Sequence, residues 1–170
     1  MPDHIEFEQR YKPEHIQLLF LAEAPADPAR HFYLANTNLY RTLHLAFTDV
    51  YGPFKSADDF LTFFSSLGCY LDHLSVQPVD KSTVSRRNTS RQAGVVPLSE
   101  RMNTYKPTGL LILMKSIEKQ VQQAVELSAI TTIEHQLVTS YPAGSESNRQ
   151  TCIRDVKYGL RHWVNVKLLP

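Results

Sequence analysis

Two short stretches of the chain are almost wholly apolar, residues 16–22 (IQLLFLA) and 109–114 (GLLILM), and both end in polar or turn-forming residues. Runs this short, closed by such residues, predict strands buried on both faces, as in a parallel sheet. Residues 69–76 (CYLDHLSV), bounded by Gln77-Pro78, and 134–141 (EHQLVTSY), bounded by Pro142-Ala143-Gly144, complete a set of four predicted strands. Between them the pattern changes to helical spacing. Asn36-Thr37-Asn38 offers caps for a helix over 39–50, with Leu39, Leu43, Ala46 and Phe47 on one face. Ser56 and the acids Asp58 and Asp59 open a second helix carrying Phe60, Phe63, Phe64 and Leu67, and Gly68 ends it. Residues 116–127 form a third helix, with Ile117, Val121, Ala124 and Val125 inward. Residues 148–163 form the last, with Cys152, Ile153, Val156, Leu160 and Trp163 on one face. Residues 80–103 show no clear period. They read as a long basic loop carrying Lys81, Arg86, Arg87, Arg91 and Arg101, with room for a short helix after Pro97.

Strands alternating with helical segments predict an α/β fold, a three-layer α/β/α domain with a four-stranded, mainly parallel sheet spanning residues 1–170. Right-handed crossovers would bring the C-terminal ends of all the strands to one rim. Ligands bind at such a rim, where the strand order reverses. Four segments should meet there: 23–33, 72–79, the turn after Lys115, and 141–149.

Composition supports this picture and narrows the chemistry. The chain has 170 residues, 42% hydrophobic and 21% charged. A domain of that size buries roughly 70% of the surface its unfolded chain exposes, so a core needs no covalent staples. Eighteen Lys and Arg against seventeen Asp and Glu give a net charge of +1, which excludes a polycation but allows a local basic stripe. Cys69 and Cys152 are the only cysteines, too few for a disulfide framework or a four-cysteine metal site. No apolar run is long enough to span a bilayer, and the charged N-terminus does not read as a signal peptide. A cytoplasmic, monomeric protein with no membrane partner is the expectation. No P-loop, dinucleotide fingerprint, metal-ligand spacing or G-x-S-x-G elbow occurs, so neither a metal nor a cofactor is expected.

The most informative stretch is LLFLAEAPADPARHFYLANTNLY. Its strand runs into Ala22-Glu23-Ala24-Pro25-Ala26, and an aromatic pair, Phe32-Tyr33, follows. This resembles the first motif of the uracil-DNA glycosylase superfamily, which one branch writes GEAPG. The second strand, YLDHLSVQP, is similar to that branch's YITNVVKCRP, and KPTGLLILMKSI to the family's KPKVIVALG-type strand. Ser140-Tyr141-Pro142-Ala143-Gly144 stands where the family has HPS or a variant of it. The resemblance covers essentially the whole chain in the right order.

The resemblance implies a monofunctional DNA glycosylase that hydrolyses the N-glycosidic bond of a flipped-out base in single- or double-stranded DNA. Its role would be base-excision repair or defence against foreign DNA. By position, Glu23 orients or deprotonates the attacking water, and Tyr141 stands in for a catalytic His. Ala24, Pro25, Phe32 and Tyr33 bind or stack on the base. His73 falls where the family's Asn reads the base edge, with Asp72 as the rival one residue away. Pro142, Ala143, Ser145, Asn148 and Arg149 face the DNA backbone, and Arg86, Arg87 and Arg91 are expected on phosphates. The chain departs from the family at the Asn and the His. An ionised Asp72 would accept from an exocyclic amine and oppose uracil's O4. The expected substrate is therefore a modified pyrimidine, with a modified cytosine as one option. The branch's iron–sulfur cluster requires four cysteines and is excluded. Two other readings stay open: a catalytically weak, nucleic-acid-binding member, and a small-molecule nucleoside hydrolase.

Overall fold

The computed structural model describes residues 4–170. Its elements are α1 (His4–Arg10), β1 (Leu18–Ala22), α2 (Asn38–Tyr51), α3 (Ala57–Ser66), β2 (Cys69–His73), α4 (Val84–Ala93), α5 (Val95–Tyr105), β3 (Gly109–Ile112), α6 (Glu118–Ser128), β4 (His135–Val138) and α7 (Glu146–Asn165). All strands are parallel and stand in the order β2-β1-β3-β4. Leu21 of β1 pairs with Asp72 on one side and Ile112 on the other. The central strands β1 and β3 are buried along their whole length, so their sequences are apolar on both faces.

The connection from β1 to β2 runs one way along the sheet, and those from β2 to β3 and from β3 to β4 run the other. Right-handed crossovers therefore put α2 and α3 on one face and α4, α5 and α6 on the opposite face. Helix α7 returns to pack on α2, and α5 packs on α6, which makes three layers. Phe20, Phe47, Phe60 and Phe64 form an aromatic cluster between β1 and the α2–α3 layer, with ring centroids 5.2–6.2 Å apart. Among the described residues, no helix is long and apolar enough to cross a membrane. The two cysteines are buried free thiols.

The basic stretch corrects the expectation of a loop: it folds as α4 and α5. Thr83 caps α4 by accepting the Arg86 N–H at 3.0 Å. Gly94 joins the two helices where a Cβ would run into the Leu74 carbonyl, so only a glycine lets them approach the end of β2 this closely. Pro97 sits in the first turn of α5, where its missing N–H leaves no intrahelical bond unmade. Helix α1 also lies in a stretch where the pattern gave no element.

Candidate functional site

The strand order reverses between β1 and β3, so the crevice beyond their C-terminal ends is the expected place for a ligand. A cleft of about 540 Å³ opens there, walled by Glu23 and Ala24 after β1, Lys115 and Ser116 after β3, Tyr141 after β4, and Arg87 of α4. Lys81, Ala143 and Asn148 also reach it. Among the lining residues, Lys81, Arg87 and Lys115 outnumber the single carboxylate of Glu23, which leaves the cleft net cationic.

Glu23 is fixed at both ends. Its backbone extends the β1–β2 ladder, because Ser75 N–H donates to its carbonyl at 2.9 Å. Its carboxylate is 5% exposed and gripped by α4. Arg87 donates from Nη2 to Oε1 at 2.5 Å and from Nε to Oε2 at 2.9 Å, and Arg91 Nε donates to Oε2 at 2.5 Å. Arg87 and Arg91 stand four residues apart, on one face of the helix. Burial pushes the Glu23 carboxyl up, but the two guanidiniums outweigh it, so the group sits below the usual carboxylate range. Arg91 also reaches Ser116 Oγ at 3.1 Å and Asn88 Oδ1 at 3.3 Å. Its side chain is 9% exposed, against 32% for Arg87. Arg91 is thus internal and unavailable to phosphate, a correction to its expected role. Arg87 is spent on Glu23 yet stands on the cleft wall, and Arg86 points to solvent near Asp80.

A second, smaller cavity of about 260 Å³ lies on the other side of the loop that follows β1. It is lined by Pro25, Pro28 and Pro78 and by Asp72, His73 and His31, together with Glu8, Asp27 and other residues of α1 and the neighbouring loops. Among the residues lining it there is no Lys or Arg. Asp72 has its oxygens engaged: Oδ1 accepts the His73 N–H at 2.7 Å, and Oδ2 accepts Arg101 Nε at 2.8 Å. Arg101 also donates to the His73 carbonyl at 2.7 Å, so it holds the end of β2 in shape. Asp72 is therefore a paired acid, each of its oxygens already holding one donor, although it stands on the cavity wall.

The aromatic pair also takes other places than expected. A 3₁₀ turn, Phe32–Leu34, sends both rings into the core at 2% and 1% exposure. Phe32 packs on Phe64 and Tyr40, and the Tyr33 hydroxyl accepts the Leu71 N–H at 2.8 Å, on the outer edge of β2. Neither residue lines the small cavity; His31, just before them, does. His31 Nδ1 caps the turn by accepting the Tyr33 N–H at 3.3 Å, which leaves the ring proton on Nε2. Burial, helped by neighbouring His73, lowers the His31 imidazole to about 3, and burial lowers His73 to about 4. Both rings are neutral at physiological pH and lie 5.3 Å apart. His31 was missed because a lone His beside two aromatics carries no spacing signal; only the turn geometry exposes its role.

In the loop after β4, Pro142 is buried and does not face the cleft. Ser145 caps α7 through the Asn148 N–H at 3.0 Å, and Asn148 Nδ2 donates to the Ala143 carbonyl at 3.0 Å. Arg149 pairs with Glu146 at 3.4 Å. Tyr141 remains on the cleft wall, and burial, with the Glu23 charge, raises its phenol, so it stays protonated. No group of three or more His, Cys, Asp or Glu that could hold a metal occurs among the described residues. No protein-family model matches the chain, and no curated protein matches its sequence.

Proposed function

We propose that this chain is a DNA glycosylase that draws a flipped-out base into the small cavity while the adjoining sugar-phosphate lies in the cationic cleft. One observation carries the reading: two cavities of opposite electrostatic character flank a single loop, residues 23–28, that begins with an ionised carboxylate. A nucleotide has that same division between a neutral planar base and an anionic backbone. The prolines offer flat apolar walls for a base, and Lys81, Arg87 and Lys115 offer charge to phosphate.

In this reading Glu23 stands near the glycosidic bond. Its carboxylate orients the attacking water and steadies the positive charge developing on the sugar. With both arginines attached it does this poorly, because their charge cancels its own and lowers its basicity. Arg87 is the accessible partner, since it is one-third exposed and on the cleft wall. A phosphate entering the cleft competes for Arg87 and leaves Glu23 Oε1 open to water, while Arg91 keeps the carboxylate in place. The Tyr141 phenol stands on the cleft wall, on the sugar-phosphate side of the loop.

The test is single-turnover incubation with DNA carrying uracil, hypoxanthine or modified cytosines, with released bases identified by mass spectrometry. Release of a base, reduced about 10²–10⁴-fold in Glu23→Gln at saturating DNA, is the expected result. DNA binding without release of any base would favour a second reading, a nucleic-acid-binding protein without hydrolysis. The saturation of Glu23 by two guanidiniums is the feature that speaks for it.

A further inference from the structure

We infer that the small cavity selects heterocycles with an exocyclic amine, of the aminopyrimidine type, through His31 as donor and the carboxylates of Glu8 and Asp27 as acceptors. This rests on the reading of that cavity as the base pocket, and it assigns the selection to residues other than Asp72.

The ionisable side chains on the cavity wall are carboxylates and imidazoles only: Glu8, Asp27 and Asp72, with His4, His31 and His73. Asp72 is consumed by Arg101 and its own chain, as described above. Glu8 on α1 is oriented by Tyr70, whose hydroxyl donates to Oε1 at 2.6 Å. Asp27 is oriented by the Ala29 N–H, donated to Oδ1 at 2.8 Å. Both remain acceptor-only groups on the wall. His31 brings a donor of fixed identity, since its Nδ1 is committed to Tyr33. Its backbone is held by Asn36, whose Oδ1 accepts the His31 main-chain N–H at 3.0 Å and whose Nδ2 donates to the Ala29 carbonyl at 2.8 Å.

Carboxylate acceptors beside the His31 donor complement an edge that offers an amine next to a ring nitrogen or carbonyl. The amine gives its protons to carboxylate, and the acceptor takes the His31 Nε2–H. A dioxopyrimidine presents two carbonyls around one N–H, so one carbonyl is left facing a carboxylate. A phosphate or a carboxylic acid is repelled outright, which directs the anionic part of a nucleotide to the neighbouring cleft.

The experiment is titration of cytosine and of uracil as free bases into the whole chain, read by calorimetry and by the ¹⁵N shifts of the histidine rings. Cytosine is expected to bind about tenfold tighter or more, the fold-change of one mismatched buried hydrogen bond, and to shift His31 Nε2. Glu8→Gln, on a half-buried helix outside the sheet, should narrow or reverse the preference, because the amide brings a donor to the same place. His31→Asn, which can still cap the turn, should weaken cytosine by a similar factor. Equal or tighter binding of uracil, binding of neither base, or indifference to both substitutions would overturn the inference. Base excision from DNA is scored separately. Cytosine preference without excision would sink the glycosylase reading alone, and uracil excision without cytosine preference would sink this inference alone.

Discussion

Removing the Arg91 guanidinium should cost far more than removing that of Arg87, although both grip the same carboxylate. Arg91 and Glu23 side chains are 9% and 6% exposed, so their charges meet with little help from water. Breaking such a buried pair typically costs about 3–5 kcal/mol. In Arg91→Ala, Arg87 still offers two hydrogen bonds to Glu23, which places the expected loss at the lower end, near 3 kcal/mol. The Arg87 side chain is 32% exposed, and water replaces much of what it gives. Arg87→Ala should therefore cost about 1 kcal/mol, in the range of screened surface pairs. The assay is urea denaturation at pH 7 of wild type, both single variants, Glu23→Gln, and the Glu23→Gln/Arg91→Ala double variant. The double-mutant cycle should give a coupling of about 2 kcal/mol or more between Glu23 and Arg91. Glu23 stays ionised below its usual range, so the gain from the clamp should persist at pH 5 and fade only as pH falls below the ordinary carboxylate value. Equal losses in Arg87→Ala and Arg91→Ala, or a negligible coupling, would refute the claim that α4 is anchored through Arg91.

Three further outcomes are expected. His73 and His31 titrate at about 4 and about 3 when folded but near 6.5 when unfolded, so the unfolded chain binds more protons between these values. Stability should fall as pH drops from about 6.5 towards 4, by up to roughly 1.4 kcal/mol per pH unit for each ring, and by less than the sum because the rings interact. Burial raises Glu8 and works the other way at the acid end; a flat denaturation midpoint between pH 7 and 5 would contradict the assignment. Gly94→Ala should destabilise by roughly 1–3 kcal/mol, as overpacking against a rigid backbone does, measured by denaturant midpoint. If the cleft holds DNA, Lys81→Ala and Lys115→Ala should each flatten the slope of log affinity against log salt by roughly 0.9 for every duplex phosphate the lysine neutralises, and Arg86→Ala should change it less.

What could be read in the sequence, and what could not, divides along physical lines. Residues 18–22 and 109–112 are buried on both faces, and their unbroken apolar runs announce it. Helices α2, α3, α6 and α7 each lay an apolar stripe on a neighbour, so their period shows. Helix α4, VSRRNTSRQA, has no such stripe. Arg91 is its only buried residue, and its partner Glu23 lies 68 positions earlier in the chain. Hydrophobic periodicity is blind to a helix that binds the fold through charge. The usable signals were the cap, Thr83, and the stripe of Val95, Leu98 and Met102 in α5, which Pro97 masked as a helix breaker. At the site, the alternation of strands and helices led to one rim, where Glu23, Ala24, Tyr141, Ala143 and Asn148 share a cleft. Pocket walls are set by turn geometry, not residue type. One 3₁₀ turn after His31 decides that two aromatics go to the core and an imidazole to the cavity.

The clamp on Glu23 links folding to chemistry in a way that constrains how any activity must be interpreted. A polar helix with one buried residue has little to hold it except Arg91 and Arg87 on that carboxylate, together with the Gly94 joint to α5. The same interaction sets the charge of the cleft, since Lys81 precedes α4 and Arg87 lies within it. A change at Glu23 therefore alters the carboxylate, the placement of α4 and the cationic wall together. Loss of function in Glu23→Gln or Arg91→Ala speaks to chemistry only where the variant's α4 remains folded. Arg87→Ala separates the two effects. It removes one cation from the cleft and opens Oε1, while Arg91 still holds Oε2 and the helix. If Glu23 acts on a water, this variant should bind DNA more weakly yet, once saturated with it, lose less rate than Glu23→Gln does. If the clamp exists only to hold the helix, neither variant should differ from the other beyond its effect on stability.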